Sequence, residues 1–283
     1  MDDKLPGMNK VEFSLTIDVH LPAVTCLCPT YGRFSLLRES LACFHAQDYP
    51  NKMLLILNDA EIPIERAEYE TMCKVVIWNC PGRFANLGEK RQALLELATT
   101  PLVAHWDDDD FYLPWHLSRS VKALLMRPAM RCVKSRGAWY MVGKVPDIQC
   151  RGIHHNVFEG SMVFFRKDAL ELGGYPPLHS GQAKALMDRF EKTGQLYKIP
   201  DNYGCPPSYV YRWGQGVGHV SAYKNKSDSL ARFRAENQDF GKGQILTPAD
   251  LAPYWAALTE NARQDLPQEE FRSFEEKLEV LTT

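Results

Sequence analysis

The chain has 283 residues, of which 45% are hydrophobic and 24% are charged, and its formal net charge is -2. These are globular values, which exclude a disordered or fibrous chain and a globally basic nucleic-acid-binding protein. No run of about 18 apolar residues occurs, so we expect no transmembrane anchor. The first twenty residues lack the apolar core of a signal peptide, and the eight cysteines form no Cys-x-x-Cys pair. Both features predict a cytoplasmic protein with reduced thiols.

Alternating apolar runs and amphipathic segments predict a βαβ unit. Residues 24–28 form an apolar run, residues 34–44 carry apolar side chains at helical spacing, and residues 53–57 form a second apolar run. Two such runs with a helix between them are typical of neighbouring parallel strands.

The same pattern continues over residues 74–106. An apolar run at 74–78 is followed by a predicted helix at 89–98 and by a strand at 101–106, which leads directly into four aspartates at 107–110. Successive βα units predict an α/β domain with a mostly parallel sheet and helices on both faces. Ligands of such sheets bind at the carboxyl ends of the strands. The residues expected at those ends are Pro29, Thr30, Tyr31, Asn58, Asp59 and the four aspartates.

The second half of the chain has a less regular pattern. It predicts a helix at 113–126, a short strand at 162–165, a short helix at 167–172 that ends at two glycines, and a loop over 203–223. We expect an N-terminal extension at 1–21, one domain at 22–245 and a helical tail at 246–283. An apolar stripe predicts that this tail packs on the domain, with a partner-binding helix as the alternative. The stripe consists of Phe271, Phe274, Leu278 and Leu281.

Four consecutive aspartates after an apolar strand suggest a cation site. Like charges placed together repel unless a cation or solvent offsets them. Mn²⁺ and Mg²⁺ bind few carboxylates, keep positions open for phosphate oxygens, and can neutralise charge on a diphosphate leaving group. The alternative is a solvated acidic turn. A turn needs only one aspartate, however, and Trp106, Phe111 and Tyr112 flank the run.

Two segments resemble family 2 glycosyltransferases of the GT-A fold. They are CPTYGRFSLLRESLACFHAQDYPNKMLLILND and NLGEKRQALLELATTPLVAHWDDDDFYLP, the second of which carries the DxD-type aspartates. The resemblance covers residues 22–120 and continues through GSMVFFRKDALELGGYP, residues 160–176. It implies a GT-A-like domain in which residues 22–120 bind a nucleotide sugar and residues 121–245 bind the acceptor. The implied reaction is a metal-dependent sugar transfer with inversion.

The resemblance implies roles on the donor side. Asp59 would accept the hydrogen bond of the nucleotide base, Pro29 and Thr30 would lie against the nucleoside, and Lys90 and Arg91 would take the basic position near the nucleotide. From residue chemistry alone, Asp59 could be a turn aspartate, and the two basic residues could be exposed helix charges.

The resemblance also implies a metal site. Asp107 and Asp109 form the DxD motif; Asp109 would contact the metal directly, and Asp107 or Asp108 would approach the ribose or the sugar. His219 is a further candidate ligand, because some GT-A enzymes use a late histidine; the alternative is an ordinary loop histidine.

The sequence departs from the family pattern at the catalytic base. Inverting members usually carry a Glu-Asp pair seven and six residues before an arginine. Counting back from Arg189 gives Gln182 and Ala183, neither of which can accept a proton as a base. Glu159 and Asp188 are the nearby carboxylates, and we predict that one of them replaces the missing base. Alternatively, Glu159 is a loop charge and Asp188 is a helix-surface acid.

The leading hypothesis is therefore a glycosyltransferase that uses a UDP-sugar and Mn²⁺ or Mg²⁺. A second hypothesis is a non-catalytic nucleotide-sugar-binding module, which the missing base favours. A nucleotidyltransferase ranks last, since it needs a glycine-rich phosphate loop where the chain has only Gly32. The acceptor is unidentified. Basic clusters at 131–155 and 212–242 would suit an anionic acceptor, including nucleic acid. Alternatively, they are ordinary solvated surface.

Overall fold

The computed structural model describes residues 21–65, 74–142, 148–151, 159–200 and 207–213. Within these ranges the strands are β1 (Val24–Thr30), β2 (Lys52–Asn58), β3 (Val75–Asn79), β4 (Leu102–His105), β5 (Phe111–Tyr112), β6 (Cys132–Ser135), β7 (Ala138–Val142), β8 (Ile148–Arg151), β9 (Val163–Phe165), β10 (Leu196–Ile199) and β11 (Tyr209–Trp213). The helices in the same ranges are α1 (Phe34–His45), α2 (Leu87–Leu97), α3 (His116–Leu125), α4 (Arg166–Glu171) and α5 (Gln182–Lys192), and a 3₁₀ turn is formed by Glu159–Ser161.

The described strands form two sheets. The larger sheet has seven strands in the order β10-β6-β9-β4-β1-β2-β3. Its neighbours pair in parallel except at β9, which runs antiparallel to both β4 and β6. The smaller sheet has the order β5-β11-β7-β8. The predicted α/β class with a mostly parallel sheet is confirmed.

Helices cover both faces of the larger sheet, as predicted. Every residue of β1 is buried, and its side chains alternate between two apolar clusters. Cys26 and Cys28 face the cluster that includes Leu41 of α1. Leu27 faces the cluster that includes Leu94 of α2. A strand buried on both faces explains the continuous apolar run in the sequence.

Residues 203–223 are not a loop throughout, because Tyr209–Trp213 forms β11. This strand pairs with β5 and β7, which lie far away in sequence. The sequence around this strand is rich in glycine, proline and aromatic residues, and that composition predicted a loop. The C-terminal stripe and the N-terminal extension lie outside the described residues, and none of the described helices is long and apolar enough to cross a membrane.

Helix α2 approaches the segment before α5 unusually closely. A Cβ atom on Gly88 would lie 1.9 Å from the carbonyl oxygen of Pro176, and the Gly88 amide donates to the carbonyl of Leu178 at 2.9 Å. Only glycine permits this distance between backbones. The contact fixes the position of the N-terminal end of α2, where Lys90 and Arg91 lie.

Candidate functional site

The carboxyl ends of β1, β2 and β4 bring the predicted donor-side residues together. β1 lies between the other two strands, and Thr30 is in register with Asn58. Asp59 follows β2 directly, while Asp107 follows β4 by two residues. Pro29 belongs to the same end of β1 and is in register with Leu57. The predicted convergence at one edge of the sheet is present in the structure.

Lys90 joins two of these strand ends. Its ammonium donates to the carboxylate of Asp59 and to the backbone carbonyl of Thr30, and the residue is 5% exposed. Burial lowers the pKa of Lys90, and the hydrogen bond with Asp59 opposes that shift. The second oxygen of Asp59 accepts from the amide of Phe84 at 3.1 Å. The alternative of an exposed helix charge is therefore wrong for Lys90.

Arg91 is likewise buried and binds the first aspartate. Its guanidinium donates to Asp107 at 2.5 Å and lies 3.5 Å from Nδ1 of His105. Burial, followed by the charge of Arg91, lowers the pKa of His105 well below its usual range. The other ring nitrogen, Nε2, is hydrogen-bonded to the hydroxyl of Tyr175.

Arg33 bridges the next two aspartates from the loop after β1. Its Nε and one terminal nitrogen donate to the two oxygens of Asp108, and the other terminal nitrogen donates to Asp109 at 2.5 Å. The Thr30 hydroxyl donates to Asp108 at 2.6 Å. Burial and the adjacent Asp109 raise the pKa of Asp108, whereas Arg33 and the hydroxyl lower it.

The fourth aspartate belongs to a tyrosine network that reaches the 3₁₀ turn. Tyr209 of β11 donates to Asp110 at 2.5 Å. The hydroxyl of Tyr112 accepts from the amide of Asp107 at 2.9 Å and donates to the carbonyl of Gly160 at 3.2 Å. A Cβ atom on Gly160 would lie 2.4 Å from the Tyr209 hydroxyl, so a larger residue would clash there. The aspartate run and the turn at 159–161 are thus adjacent.

The two candidate bases occupy different environments. Glu159 is half-buried; burial raises its pKa, while the charges of Lys134 and Arg91 lower it and that of Asp107 raises it. Asp188 lies within α5 and forms a helix-surface ion pair with Lys184 at 2.5 Å.

Gln182 and Ala183 form the first turn of α5 and are buried. Among the described residues, no hydrogen-bond partner is found for the side-chain oxygen of Gln182.

The charges at this edge suit a divalent cation. Three cations, Arg33, Lys90 and Arg91, face five carboxylates, which leaves a formal excess of two negative charges. Carboxylate oxygens are hard ligands that suit Mn²⁺ and Mg²⁺. Within the described ranges there is no group of three or more His, Cys, Asp or Glu side chains arranged around a metal position. The predicted ligand His219 lies outside those ranges.

Sequence reasoning missed several residues of this network. Arg33 lies inside the quoted segment CPTYGRF, but neither its spacing nor its chemistry identified a partner 75 residues away. His105 and Tyr112 are fully buried, and in the sequence they resemble ordinary core residues. Lys134 was counted in a basic surface cluster, yet it is fully buried, so it cannot contact an acceptor from the surface.

Residues 25–173, more than half of the chain, match the sequence profile described as glycosyl transferase family 2. The chain belongs to glycosyl transferase family 2. No curated protein matches it in sequence.

Solved structures show the same fold as this family 2 glycosyltransferase. One is TarS 1–349 of S. aureus in complex with UDP-GlcNAc, with 12% identity, a TM-score of 0.54, and coverage of 92% of this chain and 89% of TarS 1–349. Another is the mannosyltransferase PcManGT of Pyrobaculum calidifontis with GDP-Man and Mn2+, with 17% identity, a TM-score of 0.55, and coverage of 93% and 86%. At these identities the likeness establishes the GT-A fold alone.

Proposed function

We propose that this family 2 member transfers a sugar from a UDP-sugar to an acceptor hydroxyl, with inversion and with Mn²⁺ or Mg²⁺ as cofactor. The observation that carries the proposal is that Asp59, which follows β2, and the aspartate run, which follows β4, lie at the same carboxyl end of the sheet. A buried lysine and arginine hold these groups in place. The complexes of TarS with UDP-GlcNAc and of PcManGT with GDP-Man and Mn2+ support a nucleotide-sugar donor.

The donor would extend along this edge. Asp59 would accept the N–H of uracil, and Pro29 and Thr30 would lie against the nucleoside. Lys90 holds both Asp59 and the Thr30 backbone, so the groups proposed to bind the base are joined to each other without the donor. Preorganisation of this kind reduces the entropic cost of binding.

The aspartate run would bind the diphosphate end of the donor. Asp107 and Asp109 would hold the divalent cation, and Asp107 or Asp108 would approach the ribose or the sugar. A metal bound there would stabilise the negative charge that develops on the leaving diphosphate. Arg91 already orients Asp107.

The acceptor hydroxyl would attack the anomeric carbon, and the bond from that carbon to the diphosphate oxygen would break. The hydroxyl proton would pass to a carboxylate, and UDP would leave. Glu159 is our candidate for this base, because the Tyr112 link through Gly160 places its turn beside the aspartate run. A raised pKa brings a carboxylate closer to the proton affinity that a general base needs.

One observation favours a second function, a module that binds a nucleotide sugar without transferring it. The family's base position holds Gln182 and Ala183, both buried at the start of α5, and neither side chain titrates near neutral pH.

A screen of donor hydrolysis separates the two functions. The protein is incubated with UDP-, GDP-, ADP- and CDP-sugars and with Mn²⁺ or Mg²⁺, and release of the nucleoside diphosphate is measured. We expect slow release from a UDP-sugar that depends on the metal. Binding of UDP with no hydrolysis and no transfer from any donor would favour the binding module.

The first prediction concerns the base of the nucleotide donor. UDP should raise the melting temperature of the protein more than GDP, ADP or CDP does. Asp59 can accept the ring N–H of uracil, a donor that adenine and cytosine lack; guanine also has a ring N–H, so GDP tests whether the site prefers uracil to a purine. Leaving that donor unpaired costs about 1–3 kcal/mol. Thermal-shift titrations with each diphosphate at fixed Mn²⁺ measure the preference. A larger shift with GDP or ADP would refute the uridine assignment.

The second prediction concerns pH. A base acts when deprotonated, so turnover should fall as the pH drops through the pKa of Glu159, which burial raises above the ordinary value. The Lys134 charge lowers that pKa, so Lys134→Met should move the acid limb of the rate profile to higher pH. Profiles of kcat/KM for wild type and variant test this. An acid limb that does not move would show that Lys134 does not act on the base.

A further inference from the structure

Arg33 occupies the aspartates that the proposed metal and diphosphate would need. Its side chain contacts Asp108 through two nitrogens and Asp109 through a third. The Arg33 side chain is 21% exposed, compared with 1% for Asp108 and 12% for Asp109. Arg33 is thus the most exposed of the three, and a cation that reaches these carboxylates from solvent competes with it for the same oxygen atoms.

Charge disfavours placing Arg33 and a metal on the same carboxylate oxygens. An arginine remains protonated, and the two carboxylates raise the pKa of Arg33 further against the effect of burial. Two positive groups on the same carboxylate oxygens repel each other strongly at short range. A metal that binds the Asp109 oxygen held by Arg33 would therefore displace that arm of the guanidinium.

We propose that Arg33 is a donor-binding residue that moves from the aspartates to the diphosphate of the nucleotide when the metal binds. This inference rests on the proposed function. A guanidinium pairs with phosphate oxygens through two parallel hydrogen bonds, and the diphosphate would lie beside the aspartates that Arg33 leaves. In the donor-free protein the same side chain pairs with both Asp108 and Asp109 and offsets one of their two negative charges.

The exchange links the two ligands thermodynamically. Metal alone must displace Arg33 without compensation, so its binding is weakened. With the nucleotide present, the displaced guanidinium gains the diphosphate as a new partner. Each ligand should therefore strengthen the binding of the other, and reciprocity requires the same factor in both directions.

Calorimetry tests the exchange with Mn²⁺ alone, UDP alone, and each in the presence of the other. In wild type we expect at least about fivefold tighter Mn²⁺ binding when UDP is present, the lower end of typical coupling. In Arg33→Gln, Mn²⁺ alone should bind more tightly and UDP in saturating Mn²⁺ more weakly, each by about fivefold or more. The coupling between the two ligands should then shrink. Arg38→Gln is the matched control, since it removes the same charge from an exposed position on α1, and it should behave as wild type.

Arg33→Lys gives a second test that keeps the charge. An ammonium is a compact point charge and does not reproduce the fork that spans both carboxylates. Mn²⁺ alone should bind Arg33→Lys more tightly than wild type and less tightly than folded Arg33→Gln. The comparison of Arg33→Lys with wild type alone decides the matter if the glutamine variant does not fold.

The outcomes separate this inference from the proposed function. If Mn²⁺ alone binds folded Arg33 variants no more tightly than wild type, or if UDP binds them as tightly, Arg33 is not exchanged and the inference is overturned. The proposed function survives that result. If wild type binds no nucleoside diphosphate with either metal, the proposed function fails and this inference fails with it.

Discussion

Replacing Glu159 by glutamine is expected to slow sugar transfer by about 10²–10⁴-fold, the usual contribution of a general base. The amide keeps the size of the side chain but cannot accept the acceptor proton. UDP affinity should stay at the wild-type value, because Glu159 lies on the 3₁₀ turn and no donor role is proposed for it. Steady-state turnover and calorimetric UDP binding measure the two effects separately.

Asp188→Asn is the matched comparison for this experiment. It makes the same carboxylate-to-amide change in a residue that is paired with Lys184 on α5. We expect wild-type turnover from it. A loss of about tenfold or more in Asp188→Asn but not in Glu159→Gln would move the base to α5, and no loss in either would remove both assignments.

Changing Asp109 to asparagine is expected to remove the metal-dependent part of UDP binding. The substitution keeps the shape of the side chain and removes the charge that would contact Mn²⁺ directly. Loss of even an outer-shell partner typically lowers metal affinity by about 10–100-fold, and a direct ligand should have at least that effect. Calorimetry with UDP in the presence and absence of Mn²⁺ measures the difference.

Asp110→Asn controls for the loss of one negative charge at the same edge. Asp110 is buried and accepts from the Tyr209 hydroxyl, so its replacement should lower the melting temperature while Mn²⁺-dependent UDP binding persists. A folded Asp109→Asn protein with unchanged affinity and metal dependence would refute the metal assignment.

The larger sheet was predictable where neighbouring strands follow each other in the chain. Buried parallel strands such as β1 and β2 appear as continuous apolar runs, and the helix between them has its own period. The predicted boundaries of helices and strands differ from the observed ones by up to three residues. For example, α3 begins at His116, whereas the sequence predicted a helix from residue 113. The strand β11 was missed because its pairing partners, β5 and β7, are distant in sequence.

For the site, the sequence identified which carboxylates meet but not which cations pair with them. The strand ends made Asp59 and the aspartate run predictable, since parallel strands align their carboxyl ends. The partners Arg33 and Lys90 depend on side-chain directions that a pattern does not encode. The neutral state of His105 follows from complete burial beside Arg91, which no local sequence signal reports.

The position of β9 limits how this protein can be divided. β9 pairs with β4 through Val103 and Phe164, and with β6 through Val133 and Val163. The proposed donor half and acceptor half therefore share one continuous hydrogen-bonded sheet. Separate expression of residues 22–120 would expose the edge of β4, and two complementary fragments should associate rather than fold independently. For the same reason, acceptor preference is more readily exchanged between relatives by grafting loops than by swapping halves, because a graft leaves the β4-β9-β6 ladder intact.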